Sequence, residues 1–137
     1  MITFNYEVDF ELPNEEALAS WIEESIKQEE SLLGEINYIF CNDEDLLKIN
    51  VKYLNHDTYT DIISFDYSLN ETISGDIYIS LERVEENAEK FNVTFENELH
   101  RVMIHGILHY LGYKDKTEQD KNEMRSKENE LILLLNN

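Results

Sequence analysis

Residues 2–10 alternate strictly, with Ile2, Phe4, Tyr6, Val8 and Phe10 apolar and Thr3, Asn5, Glu7 and Asp9 between them. Successive side chains of a strand point to opposite faces, so this stretch predicts a strand with one buried face. A chain that opens this way needs a sheet to join and apolar surface to cover it. Ile36, Tyr38 and Phe40 alternate again and predict a second strand. Between the two, Pro13 ends the first strand and Asn14 is placed to cap a helix with Glu15 and Glu16 in its first turn. Leu18, Trp21, Ile22 and Ile26 form the apolar stripe of that helix, and Gly34 is its expected stop.

The rest of the chain keeps switching between these two periods. Asn42 caps a second expected helix that starts with Asp43, Glu44 and Asp45 and continues through Leu46, Leu47, Asn50 and Tyr53. Leu54 to Tyr59 has no period and reads as a loop. Thr60–Tyr67 is rich in β-branched and aromatic residues, and Asp76–Ser80 is its expected hairpin partner across a polar turn with Asn70 and Gly75. Ser80 caps a helix to about Phe91, and another runs from near Thr94 to Gly112. Thr117 and Asp120 form a capping box for a last helix, whose Leu131–Leu135 end must pack on something. The expected fold is α/β (α+β): a single domain over residues 1–137, with a mixed sheet of about four strands and helices packed on it. A metal site is expected at the end of a helix in the C-terminal half.

Composition bounds the function classes. The one cysteine, Cys41, excludes an internal disulfide and a cysteine-rich zinc site. No apolar run approaches the roughly 20 residues that span a bilayer. The opening residues lack a basic segment followed by an apolar one, so a cytoplasmic, reducing location is expected. Lys and Arg number 11 against 30 Asp and Glu, a formal charge of −19. All of the net negative charge lies in residues 1–100, and residues 101–137 are balanced. Two readings are open: the charge maintains solubility, or one face is spared so that an anion can approach.

The chemistry-bearing stretch runs from His105 to Asp115 and has the form H-x-x-x-H-x-x-G-x-x-D. Four residues on a helix bring two side chains to one face, so His105 and His109 can reach one ion. Gly112 lets the chain leave the helix through a left-handed turn that swings Asp115 back. Two imidazoles and a carboxylate leave one coordination position open, as catalytic zinc sites require, although this donor set also suits iron or nickel. Metzincin peptidases use a similar geometry but place Glu directly after the first His as general base. That position here is Gly106. Phosphodiester cleavage depends less on a fixed carboxylate, because a metal can activate water and neutralise phosphoryl charge. Glu98, two turns before His105, is a candidate base or a surface charge, and no protein base is assigned. Asp61 either supports a ligand from behind or fixes a turn. His56 and His100 read as surface residues.

Residues 105–113 closely resemble the H-G-x-L-H-x-x-G-Y signature of the YbeY family of metal-dependent endoribonucleases, bacterial rRNA maturation factors. Asn50, Tyr53, Asp57, Thr60, Asp61, Ser64 and Phe65 resemble a second family block in register. Gly75-Asp76-Ile77 resembles the family's GDI strand start, and Glu118–Ile132 its acidic terminal helix. The resemblance implies a zinc-dependent endoribonuclease of single-stranded RNA, acting on the 3′ end of small-subunit rRNA beside the ribosome. One zinc per chain would be held by His105, His109 and Asp115. RNA is the implied partner, with neither DNA nor a membrane expected.

Four departures stand out. Asp115 replaces the family's third His, Lys114 its preceding Asp, Leu54 an Arg facing the RNA phosphate, and Tyr59 a Pro. Lys114, Lys116 and Arg101 are the candidate substrate-binding cations, with Arg101 also placed to pair with Glu98 one turn away. The alternatives are a ribosome-associated assembly factor with a structural metal, and a zinc peptidase-like hydrolase.

Overall fold

The computed structural model describes residues 1–55 and 60–136, and the expectations for His56, Asp57 and Tyr59 fall outside them. The elements are β1 (Ile2–Tyr6), α1 (Glu15–Gln28), β2 (Leu32–Cys41), α2 (Asp43–Leu54), β3 (Ile62–Asp66), β4 (Thr72–Ser80), α3 (Leu81–Lys90), α4 (Phe95–Tyr110) and α5 (Glu118–Leu135). They form one four-stranded sheet in the order β1-β2-β4-β3. β2 runs parallel to both β1 and β4, and β3 pairs antiparallel with β4 as the expected hairpin.

Local chemistry sets most helix starts. The side chains of Asn42, Ser80, Thr94 and Thr117 each accept a hydrogen bond from the backbone N–H three residues on, and Thr117 with Asp120 completes the capping box. Asn14 sits at the N-cap of α1 without such a side-chain bond. Several boundaries differ from the sequence expectation: β4 already starts at Thr72, so Gly75, expected in the turn, lies inside that strand and pairs with Asp66 and Ile36. The first strand ends at Tyr6, where the chain bends, although Phe10 still packs on Phe40 and Phe95 with ring centroids 5.9 and 6.0 Å apart. The first helix ends at Gln28, not at Gly34, and Glu30 turns the chain with a left-handed backbone (φ 58°). Gly34 lies inside β2, where the register with β4 shifts between Leu33 and Ile36. An added Cβ there would come within 2.9 Å of the Ile73 carbonyl, so the close backbone approach needs glycine.

Helix α4 is the centre of the core. Met103, Ile104, Ile107 and Leu108 are fully buried. The Tyr38 hydroxyl, itself buried, donates to the Met103 carbonyl at 2.9 Å and ties α4 to β2. At the other end of the helix, the Tyr110 hydroxyl lies 3.0 Å from the carbonyl oxygens of both Phe65 and Asp76. Gly106 faces the sheet, and an added Cβ would stand 3.0 Å from Ile77 Cδ1 and 3.1 Å from Ile62 Cδ1. Helix and sheet are therefore in tight contact one residue after His105. On the far side, α5 closes over α1 and α4. Trp21 Nε1–H donates to the Leu131 carbonyl at 2.7 Å in the interior. Of the terminal apolar run, Leu131 and Ile132 are buried while Leu133 stays exposed.

Candidate metal centre

The last turn of α4 ends in a hydrogen-bonded pattern that only a left-handed residue allows. Tyr113 N–H donates to the Leu108 carbonyl at 3.0 Å and Gly112 N–H to the His109 carbonyl at 3.1 Å. Gly112 carries φ 103°, as this Schellman turn requires. The turn does two things for the site. It puts the Tyr113 carbonyl 3.1 Å from His109 Nδ1, and it sends the chain back so that Asp115 approaches both histidines. The Tyr113 hydroxyl donates to Glu29, and Lys127 lies 3.5 Å from the same carboxylate, which anchors the turn to α1 and α5.

His105, His109 and Asp115 come together as the sequence spacing anticipates. His105 Nε2 and His109 Nε2 are 3.0 Å apart, and Asp115 Oδ2 lies 3.5 and 3.3 Å from them. Tetrahedral ligands about 2.0–2.1 Å from one ion are separated by about 3.3–3.4 Å, so the three atoms have the spacing of a shared cation. The tautomers make the same point. The Tyr113 carbonyl can only accept, so the proton of a neutral His109 sits on Nδ1. Glu128 accepts from His105 Nδ1 at 2.7 Å, which places that proton likewise. Two Nε2 lone pairs then face each other beside a carboxylate oxygen. A cation between them relieves that repulsion.

Glu128 is the residue that sequence reading missed. The residue is 4% exposed, and its carboxylate bridges His105 Nδ1 and Arg101, whose Nη1 lies 3.0 Å away. Arg101 also donates to Asn129 at 2.9 Å. The expected Arg101–Glu98 pair is thus replaced by one across to α5. A signal was present: Glu128 stands in register with the buried Met124, Leu131 and Ile132 on the apolar face of α5. Burial draws the His105 ring toward its neutral form, but the hydrogen bond and charge of Glu128, with Asp115 and Asp61, outweigh it and raise its pKa.

The site opens into a cleft of about 390 Å³ between α3, α4, α5 and the start of β3. Asp61 lines it, accepts from the Asn87 amide at 3.4 Å, and is pushed up mainly by burial. It lies within electrostatic reach of His105, but the carboxylate hydrogen-bonded to that ring is Glu128. Glu98 is not the surface charge expected: it is 6% exposed and lines the cleft. His100 is half-buried with its ring against Trp21, centroids 6.1 Å apart, and is likewise not a surface residue. Lys114 and Lys116 are exposed on either side of Asp115. The cations lining the cleft are Arg101, Lys121 and Arg125, two of which the sequence did not single out.

Comparison with known proteins adds the lineage. The family model described as Endoribonuclease YbeY matches residues 3–136. The chain belongs to the YbeY endoribonuclease family. It is 63% identical over 134 residues to the endoribonuclease YbeY of Flavobacterium johnsoniae, covering 98% of this chain and 96% of that one. The Amoebophilus asiaticus YbeY is 47% identical over 95% of this chain and 89% of its own. A solution structure from Thermotoga maritima matches with a TM-score of 0.70 at 31% identity, covering 98% of this chain and 89% of that one. Of the stretch from Asn50 to Phe65, Asn50 and Leu54 lie on α2, where Asn50 is buried and Leu54 is 44% exposed, and Ser64 and Phe65 lie on β3.

Proposed function

We propose that this chain is a zinc-dependent endoribonuclease of single-stranded RNA that matures the 3′ end of small-subunit rRNA in the cytoplasm. Family membership makes it an endoribonuclease that acts on RNA phosphodiester bonds. The finer reading adds a single metallohydrolase domain over residues 1–137, one Zn2+ per chain, and His105, His109 and Asp115 as its ligands. The observation that carries it is the convergence of those three donor atoms at 3.0–3.5 Å, with both imidazole protons held on the opposite nitrogens. Two histidines and a carboxylate are an accepted zinc donor set with a position left open.

Such an ion would supply Lewis acidity at a phosphoryl oxygen and would bring the pKa of water down toward neutrality. The protein's own residues do the rest. Glu128 fixes the His105 ring and its tautomer, and Arg101 fixes Glu128. The Schellman turn fixes His109 through the Tyr113 carbonyl. Lys121 and Arg125, at the mouth of the cleft, offer positive charge to an incoming phosphate, as do Lys114 and Lys116 beside Asp115. No helix of the described residues is long and apolar enough to cross a membrane.

A peptidase is the weaker reading. Residue 106 points at Ile62 and Ile77, so a carboxylate there would enter the apolar helix–sheet contact rather than the metal site. The test is cleavage of single-stranded and structured RNA by the purified protein, with and without chelator, beside His109→Ala. Chelator-sensitive cleavage by the wild type alone is expected. Equal cleavage by both proteins would refute the reading and leave an assembly factor with a structural metal.

A further inference from the structure

Among the described residues, none supplies a hydrogen bond or ion pair to the carboxyl of Glu98 in the cleft. The residue as a whole is 6% exposed and lines the cleft. Its oxygens are not sealed from solvent, so their hydrogen-bonding capacity is open to whatever occupies the cleft. Burial and the nearby Asp61 push its carboxyl up, and the charges of Arg101 and Arg125 offset this only in part. A group kept in this state in a cleft beside a metal site is completed by what enters the cleft.

Distance decides which part of the substrate that is. Glu98 precedes His105 by seven residues on α4, about 10 Å along the axis at about 1.5 Å per residue. A general base must come within about 2.6–3.2 Å of the proton it takes. Glu98 therefore serves a neighbouring part of the substrate and not the reacting atoms. The cleft that Glu98 lines is mixed: Ile62, Val102, Met124 and the half-exposed ring of Phe91 give it apolar surface beside the polar Asp61 and Asn87. Arg125 stands at the same cleft and forms no salt bridge among the described residues. Apolar side chains with a flat ring, an acceptor facing the cleft and an uncommitted cation together match a planar base attached to a phosphate.

Resting on the endoribonuclease reading, we propose that this cleft seats one nucleobase of the RNA beside the phosphate at the His105–His109–Asp115 centre, and that Glu98 reads it by accepting its N–H groups. Guanine fits a carboxylate best, because its N1–H and N2–H donors lie side by side and match two acceptor oxygens. Phe91 stacks on the base, and Arg125 with Lys121 holds the adjoining phosphate.

The experiment titrates the zinc-loaded protein with guanosine, adenosine, cytidine and uridine 5′-monophosphates by calorimetry. Wild type is expected to bind the guanosine nucleotide about tenfold or more tightly than the others, the discrimination typical of a bidentate base contact. Glu98→Gln should abolish the preference while keeping its zinc stoichiometry and melting profile. Phe91→Ala should weaken all four nucleotides several-fold and keep the preference, since stacking is tolerant of base identity. Equal affinity for all four in wild type, or a preference that survives Glu98→Gln, would overturn the proposal. Cleavage of oligouridylate with and without a single guanosine is run in parallel. Cleavage without nucleotide preference removes this inference alone. Guanine preference without any cleavage removes the endoribonuclease reading alone.

Discussion

At the scale of single residues, Glu128 and Gly106 decide what surrounds His105 on its two sides. Glu128 holds Nδ1 at 2.7 Å and is itself held by Arg101. Removing such an outer partner of a metal-binding histidine usually costs about 10- to 100-fold in metal affinity. Glu128→Gln should therefore weaken zinc binding by that range in a competition titration against a chromophoric chelator. The stoichiometry should stay at one per chain, because the three ligands remain. Unchanged affinity would show that Glu128 serves the fold and not the metal. Gly106 faces the other way, with Ile77 and Ile62 at the distance where a Cβ would already press on them. Gly106→Glu should not create a peptidase. It should destabilise the fold by about 3 kcal/mol or more in urea unfolding, because it drives a carboxylate into apolar packing. The absence of Glu at position 106 was visible in the sequence as missing chemistry. That a side chain there has no room needed the sheet.

At the scale of elements, the parts legible in the sequence were those written within a few residues. The caps at Asn42, Ser80, Thr94 and Thr117 are local hydrogen bonds, and the Gly112 turn is a local backbone requirement. The illegible parts depend on partners far along the chain. Glu98 and His100 look like ordinary polar residues on α4 until α3, α5 and α1 are packed around them. His100 illustrates the consequence. Burial against Trp21 lowers its pKa, with Glu96 opposing. A histidine whose folded pKa is depressed contributes stability that is full above its unfolded value near 6.5 and is lost as pH falls through the folded value. The zinc-loaded wild type should thus lose more unfolding free energy between pH 7.5 and pH 5.5 than His100→Phe, which keeps a ring on Trp21 but cannot titrate. Equal losses would mean that His100 is protonated as easily in the fold as in the unfolded chain.

At the scale of the whole molecule, the question is how a chain of charge −19 engages a polyanion. The sequence already showed the net negative charge confined to residues 1–100, but not where the balanced remainder lies in space. The sheet order β1-β2-β4-β3 and the packing of α4 and α5 across it could not be read from periodicity, which sees elements and not their neighbours. The packing gathers Arg101, Lys121 and Arg125 at one cleft next to Asp115. Arg101 is engaged by Glu128, so few cations remain for phosphate. Binding of a single-stranded oligonucleotide should therefore depend weakly on salt, with a log–log slope of about −1 to −2 for two or three phosphate contacts at about −0.7 each. A much steeper slope would point to a basic face outside this cleft.

The most direct measurement is the metal content of the purified protein, by mass spectrometry after dialysis. It is made for wild type and for His105→Ala, His109→Ala and Asp115→Ala, with circular dichroism to confirm that each is folded. The expected result is one zinc per chain in wild type and a loss of zinc in all three folded variants. A folded Asp115→Ala protein that keeps its full complement of zinc, or a wild type that retains none from zinc-containing medium, would contradict the His105–His109–Asp115 centre.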